Sequence, residues 1–288
     1  MSEGEHTIDE ALVQGLLSEQ FPQWAELELR AVVESGTDHA IYRLGEKLVV
    51  RLALRDGPDR PETKVRQWLP RIAPVLTLEV PVPVAVGAPG CGYPWFWEIH
   101  TWLDGTYVPI ESIDAVQAAA DLSGLIRALW RFDRAGAPVG RGVPLAERDE
   151  AFRYWLRRYS GDVARVRSEW ERSLAAPPWD GPPVWHHGDL DARNWLVRDG
   201  RISGVIDWGC MGVGDPAVDL MVAWKLHSPA AVDAFREAVH ADDASWVRAR
   251  GWVVSQAVAI LAYYTEQTNP TLLRQAQSWL DLALADVV

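Results

Sequence analysis

Two aspartates and an asparagine stand out as a possible chemical set. Asp189 is followed by Asn194 five residues later and by Asp207 thirteen residues after that, inside the stretch 185–220, WHHGDLDARNWLVRDGRISGVIDWGCMGVGDPAVDL. One carboxylate, one carboxamide and a second carboxylate form an all-oxygen donor set. Such a set suits Mg²⁺, a hard cation usually held by few protein groups together with substrate phosphates. Gly188 and Gly209 flank the first and last members, where tight turns need a residue without a Cβ. Residues 202–206 read as a short strand that aims Asp207 outward.

Other chemistries fit less of the stretch. A glycosidase pair would use Asp189 and Asp207 but leaves Asn194 without a role. A metallohydrolase built on His186, His187 and Asp189 would need adjacent histidines to point the same way, and no second His-rich cluster exists. A serine nucleophile would want a G-x-S-x-G elbow, and none is present. Phosphoryl transfer uses all three residues, because it needs positioning and charge neutralisation more than covalent work. The spacing D-x-x-x-x-N followed by D-x-G is that of a kinase catalytic loop, here D-L-D-A-R-N and D-W-G.

The elements around this stretch divide in two. Residues 9–20 have helical spacing, and then the period changes to two over 27–33, 41–44 and 47–54. Gly45-Glu46 is a tight hairpin turn, and Gly36 lies in the polar turn of the preceding pair, where backbone N–H groups suit phosphates. Residues 60–72 are helical in spacing, 80–84 carry edge-type prolines, and 95–101 form an apolar strand. Asp104-Gly105 breaks that strand, and helices dominate from there on: 112–132 with Ser112 as cap, 146–159, 162–174, 216–227, one begun by Ser228-Pro229, one capped by Asp243, and 271–286. The expectation is an α+β chain of two lobes: residues 1–103, a small antiparallel sheet with a helix, and residues 104–288, mainly helical.

Composition narrows the partners. The 288 residues carry a formal net charge of −12. It divides evenly at Leu103: 9 basic and 15 acidic residues before that point, 19 and 25 after it. With no basic half, a nucleic-acid or anionic-membrane partner is not expected. Cys91 and Cys210 lie in no metal spacing and form no disulfide framework. With no cationic, apolar leader and no run of about 18 apolar residues, a cytoplasmic protein is expected, monomeric or homodimeric. Most of the sixteen tryptophans are expected in the core.

His187-Gly188-Asp189-Leu190-Asp191-Ala192-Arg193-Asn194 resembles the H-G-D-x-x-x-x-N loop of the aminoglycoside phosphotransferase family. Ile206-Asp207-Trp208-Gly209 and Gly214-Asp215-Pro216-Ala217-Val218-Asp219-Leu220 look like its next two blocks, in order and spacing. The flanking WLPRIAP, YPWFW and YYTEQTNP segments look like actinobacterial-type members, so the resemblance runs over most of the chain. It implies a bilobal protein-kinase-like fold that binds ATP or GTP with Mg²⁺. The activity implied is transfer of a γ-phosphoryl to a hydroxyl of a small acceptor, antibiotic-like or a metabolite.

Residue by residue, the resemblance makes Asp189 the catalytic base and Asn194 and Asp207 the metal ligands. His187 and Asp219 become braces of the loop, and Asp215 a helix cap. In the first lobe it places Arg51 where a kinase third strand carries its phosphate-binding lysine, and Thr101 to Leu103 on the adenine. Val65 stands where relatives carry a glutamate, and Glu62, one turn earlier, is the candidate replacement. For the acceptor, Glu266, Tyr263, Trp224 and Asp191 are the candidates, an acidic residue suiting a cation and an aromatic one a bulky ring. A nucleotide-binding protein without catalysis is the competing reading, supported by Val65. A protein kinase fits poorly, because only twelve residues separate Asp207 from Asp219, too few for an activation segment.

Overall fold

A computed structural model describes residues 8–32, 39–54 and 63–285. The chain forms two compact units: Met1–Pro74 with Glu79–Asp104, and Val75–Leu78 with Gly105–Val288.

The first unit is a sheet backed by a helix. Helix α1 (Glu10–Gln20) starts at Asp9, whose side chain accepts the Leu12 N–H at 2.8 Å. Strands β1 (Leu29–Ala31), β2 (His39–Leu44) and β3 (Leu48–Ala53) follow, then helix α2 (Thr63–Ile72) and strands β4 (Pro83–Gly87) and β5 (Trp97–Thr101). The sheet runs β1-β2-β3-β5-β4, and every pairing is antiparallel. Val13, Leu16 and Leu17 of α1 pack on Tyr42, Leu44, Val50, Leu52, Trp97 and Ile99. The alternation read in the sequence is thus the inward face of this sheet.

The second unit is helical. Its helices are α3 (Ala115–Arg131), α4 (Asp149–Leu156), α5 (Val163–Ala175), α6 (Ala217–Leu220), α7 (Pro229–Val239), α8 (Asp243–Tyr263) and α9 (Pro270–Ala285). Between α5 and α6 lie β6 (Val184–His186), β7 (Trp195–Arg198), β8 (Arg201–Val205) and β9 (Gly212–Gly214), paired β6–β9 and β7–β8 as antiparallel ribbons. Helix α8 is buried on nearly all sides, packing on α4, α5, α6 and α9, which is why it shows little amphipathic pattern.

Of the boundaries that differ from the sequence reading, three in the second unit have a clear local cause. Ser112 ends a 3₁₀ turn, and Asp114 caps α3 by accepting from Val116 and Gln117. Asp242, not Asp243, caps α8, because its side chain reaches the Ser245 N–H at 2.8 Å. The expected helix over 216–227 is a single α turn that tightens into a 3₁₀ run, Met221–Leu226, and stops at His227, left-handed at φ 56°. Among the described residues no helix is long and apolar enough to cross a membrane.

Candidate active site

The loop after β6 is braced at almost every residue. Asp219, from α6, accepts the main-chain N–H of His187 on Oδ2 and that of Gly188 on Oδ1, both at 2.7 Å. The His187 ring is buried edge-on against Trp208, its Nδ1 accepting the Asp189 N–H at 3.1 Å. The ring's proton is therefore on Nε2, which donates to the Ile206 carbonyl at 3.0 Å. Gly188 has φ +86°, and a Cβ there would lie 2.7 Å from the Cys210 carbonyl, so only glycine fits the turn.

These bonds bring the three polar residues of the sequence motif together. Asn194 is buried and donates its side-chain amide to the Asp189 carbonyl at 2.9 Å, which turns its oxygen the other way. Its own carbonyl accepts the Ile206 N–H at 2.9 Å. Ile206 is thus bonded through both its N–H and its carbonyl, and the residue it delivers is Asp207. Asp207 is exposed and left-handed (φ 61°, ψ 66°), a conformation that an aspartate adopts more readily than a bulky residue. Such strained backbone gathers at functional sites.

A fourth group joins them that the sequence did not flag. Arg141 Nη1 donates to Asp189 Oδ1 at 2.8 Å and lies 3.4 Å from the Gly188 carbonyl. Arg141 sits on a strap along β9. Gly140 N–H bonds to Val213 O, Val213 N–H to Pro138 O, Arg141 N–H to Cys210 O, and Asp215 N–H to Gly142 O. The buried His186 accepts the Gly142 N–H on Nε2 at 3.0 Å, so it holds this strap. The strap lies so close to the ribbon that a Cβ on Gly140 would meet Gly212 Cα at 2.7 Å. The only sequence signal was a pair of glycines flanking an arginine, G-R-G, between helices.

Several acidic residues are committed inside the fold. Asp191 is fully buried, accepts from Arg193 at 2.8 Å and lies 3.4 Å from the Lys225 ammonium. Burial alone would raise its carboxyl, but Lys225 and then Arg193 hold it well below the usual carboxylate range. Lys225, itself buried, donates to the Leu190 carbonyl at 2.9 Å, and burial lowers its ammonium against the pull of Asp191. Asp191 therefore cannot face an acceptor, contrary to the sequence reading. Asp215 accepts the Ala217 N–H and pairs with Arg248 at 2.7 Å, also out of solvent.

Trp224 is likewise corrected: it is fully buried against Trp246 and belongs to the core. Sequence spacing cannot separate a core indole from a pocket wall. Tyr263, by contrast, is 65% exposed, edge-on to Trp155 and Tyr264, and Glu266 is exposed in the turn beyond α8.

In the first unit Arg51 lies on β3, in register with Ile41 and Glu98. Burial would raise the Glu98 carboxyl, yet His100, Arg51 and Arg66 together lower it. Glu98 on β5 is thus a carboxylate in the field of Arg51. Position 65 in α2 offers only a buried valine. Glu62 and Gly36 lie outside the described residues. Thr101 has its N–H and its hydroxyl engaged by Val82, both at 2.9 Å, and Leu103 beyond it is buried.

The family model described as phosphotransferase enzyme family matches residues 30–252. The chain belongs to this family. Over 56 residues it is 38% identical to the aminoglycoside 3′-phosphotransferase of Escherichia coli, and over 38 residues 55% identical to the viomycin phosphotransferase of Streptomyces vinaceus. These stretches span 19% and 12% of this chain and only 21% and 13% of those proteins. The fold is similar to that of aminoglycoside 2′-phosphotransferase-IIIa in its GDP complex, with a TM-score of 0.68 and 14% identity over 97% of this chain and 99% of that one. The fold of this chain is therefore the kinase-like one of that structure.

The oxygen donors on this loop and after β8 suit a hard cation. Among the described residues no group of three or more His, Cys, Asp or Glu side chains is placed to hold a metal by itself. Asn194 and Asp207 form a sparse oxygen pair, and Asn194 has its oxygen end turned away from its own amide bond. A pair of this kind is completed by phosphates rather than by more protein.

Proposed function

We propose that this phosphotransferase transfers the γ-phosphoryl of ATP or GTP to a hydroxyl of a small acceptor. The observation that carries the reading is the joint fixing of Asp189, Asn194 and Asp207 through the two hydrogen bonds of Ile206. Asp189 orients the acceptor hydroxyl and takes its proton, using Oδ2, which has no partner among the described residues. Asn194 and Asp207 hold Mg²⁺, which when bound neutralises charge on the phosphates. His187 and Asp219 keep the loop in place, so that little reorganisation accompanies transfer. Arg51, on β3, meets the donor phosphates with its planar fork, in the place of a lysine. Leu103 and Thr101 meet the base, Thr101 without its N–H. Residues 1–103 serve as the nucleotide lobe and 104–288 as the catalytic lobe.

The acceptor is a small molecule that carries a hydroxyl. The matched relatives named for aminoglycosides and viomycin support a cationic antibiotic, met by exposed Glu266 and by the face of Tyr263. The test is a phosphorylation screen with ATP and GTP against aminoglycosides, viomycin, macrolides, choline and simple alcohols, run beside Asp189→Ala. We expect turnover with at least one acceptor and none from the variant, with nucleotide binding retained. Near wild-type turnover by the variant removes Asp189 from the chemistry. Nucleotide binding without any turnover supports the non-catalytic reading instead.

A further inference from the structure

We propose that Arg141 is the positioning residue of the Asp189 carboxylate. The inference rests on the phosphoryl-transfer reading of Asp189, and it assigns a role to a segment outside all three sequence blocks. An isolated aspartate side chain turns freely about its last bond, so either oxygen can face the acceptor. Here Arg141 Nη1 takes Oδ1 at 2.8 Å and approaches the Gly188 carbonyl at 3.4 Å, which ties Oδ1 and leaves Oδ2 without a hydrogen-bond partner among the described residues.

The guanidinium is itself positioned by built structure rather than by chance contact. Its backbone is bonded to Cys210, its neighbours Gly140 and Gly142 are bonded to Val213, Asp215 and His186, and the strap touches Gly212 too closely for any Cβ. Arg141 is only 30% exposed at its side chain, and Asp189 24%, so the pair is partly shielded from water. A charge-assisted bond in that setting is short and directional. The assignment also accounts for His186, which the transfer chemistry leaves idle: it holds the strap that holds the arginine.

Arg141→Met, Arg141→Lys, Asp189→Asn and the double variant Arg141→Met/Asp189→Asn test this. The readout is release of ADP from ATP or GDP from GTP, with and without viomycin, because the diphosphate leaves whether viomycin or water takes the phosphoryl. Viomycin is the probe, and water serves as the acceptor when it is absent. We expect Arg141→Met to lower kcat about 10- to 100-fold, the cost of a misplaced catalytic group, with the donor KM within about two-fold. Arg141→Lys, which keeps the charge but not the fork, is expected to fall between. In the Asp189→Asn background the methionine is expected to cost nothing further, because Arg141 acts through Asp189.

Equal rates for Arg141→Met and the native chain, beside an inactive Asp189→Asn, overturn the inference alone. So does an equal loss from Arg141→Met in both backgrounds, or a loss confined to KM. Asp189→Asn turning over at the native rate overturns the phosphoryl-transfer role of Asp189 and this inference with it. Unchanged melting midpoints for Arg141→Met and Arg141→Lys separate lost positioning from lost folding.

Discussion

Asp219 Oδ2 accepts the main-chain N–H of His187 at 2.7 Å across 32 residues of chain, and its other oxygen takes Gly188 at the same distance. One buried carboxylate thus shapes the turn that presents Asp189. Asp219→Asn replaces one acceptor by an N–H₂ facing an N–H. We expect a loss of about 2–3 kcal/mol in stability, the worth of charged hydrogen bonds. A fall in kcat of about 100-fold accompanies the displaced turn. Denaturant midpoints and steady-state rates measure the two effects, and unchanged values for both would remove Asp219 from this role.

Gly188→Ala puts a methyl group 2.7 Å from the Cys210 carbonyl at a φ of +86°. The strain amounts to about 1–3 kcal/mol. The melting midpoint should drop, and the proposed transfer should fall more steeply than the melt explains. A variant with native rate and stability would show that the turn relaxes freely.

Removing Lys225 leaves Asp191 charged and buried with Arg193 alone. Lys225→Met is expected to cost about 3 kcal/mol, at the low end for a broken buried pair because Arg193 remains. Adding Asp191→Asn, which keeps the cap on the Arg193 N–H, should recover much of that loss. Urea titrations of the single and double variants read the coupling. An additive double variant would mean that the two residues act separately.

The same logic separates Trp224 from Tyr263. Trp224→Ala hollows the core beside Trp246 and should destabilise by about 3–5 kcal/mol. Tyr263→Ala, at an exposed position, should leave the melt almost unchanged and alter the acceptor KM alone. Equal melts for the two variants would contradict the burial seen here.

His227 gives a pH dependence. Burial lowers its pKa below 6.5, against opposing pulls from Glu111 and Asp191, and its Nε2 accepts the Trp279 indole N–H at 3.0 Å. The neutral ring is favoured in the fold, while the unfolded chain takes up a proton near pH 6.5. The stabilisation is therefore complete above that pH and is lost as pH falls through 6.5 toward the lowered folded value. Asparagine tolerates the left-handed backbone at this position, so His227→Asn is the control. Its difference in melting midpoint from the native chain should shrink between pH 7 and pH 5. A constant difference would show that His227 does not titrate there.

Much of this was legible in sequence because local chemistry settled it. The hairpin turn at Gly45-Glu46, the period change before β1, the helical spacing of α1 and the Ser228-Pro229 start of α7 depend on neighbours within a few residues. So did the spacing of Asp189, Asn194 and Asp207. What could not be read depends on distant partners. Asp191 looks like an exposed neighbour of Asp189 until Lys225, 34 residues on, covers it. Trp224 looks like a pocket wall until Trp246 covers it. Asp114 outcompetes Ser112 as a cap by geometry alone. The arginine strap is invisible because its meaning lies in Cys210 and β9, some seventy residues downstream.

The strap has a consequence for how the chain becomes competent. The carboxylate at Asp189 meets its guanidinium across a closed loop of 48 residues, its bracing aspartate across about 30, and the lysine beneath it across 35 from Leu190. None of these contacts is local, and each carries a loop-closure entropy cost that must be met before the contact forms. A nascent or partly unravelled chain can hold its helices while this turn is still unmade. The proposed phosphoryl transfer would therefore double as a reporter of finished folding in the second unit.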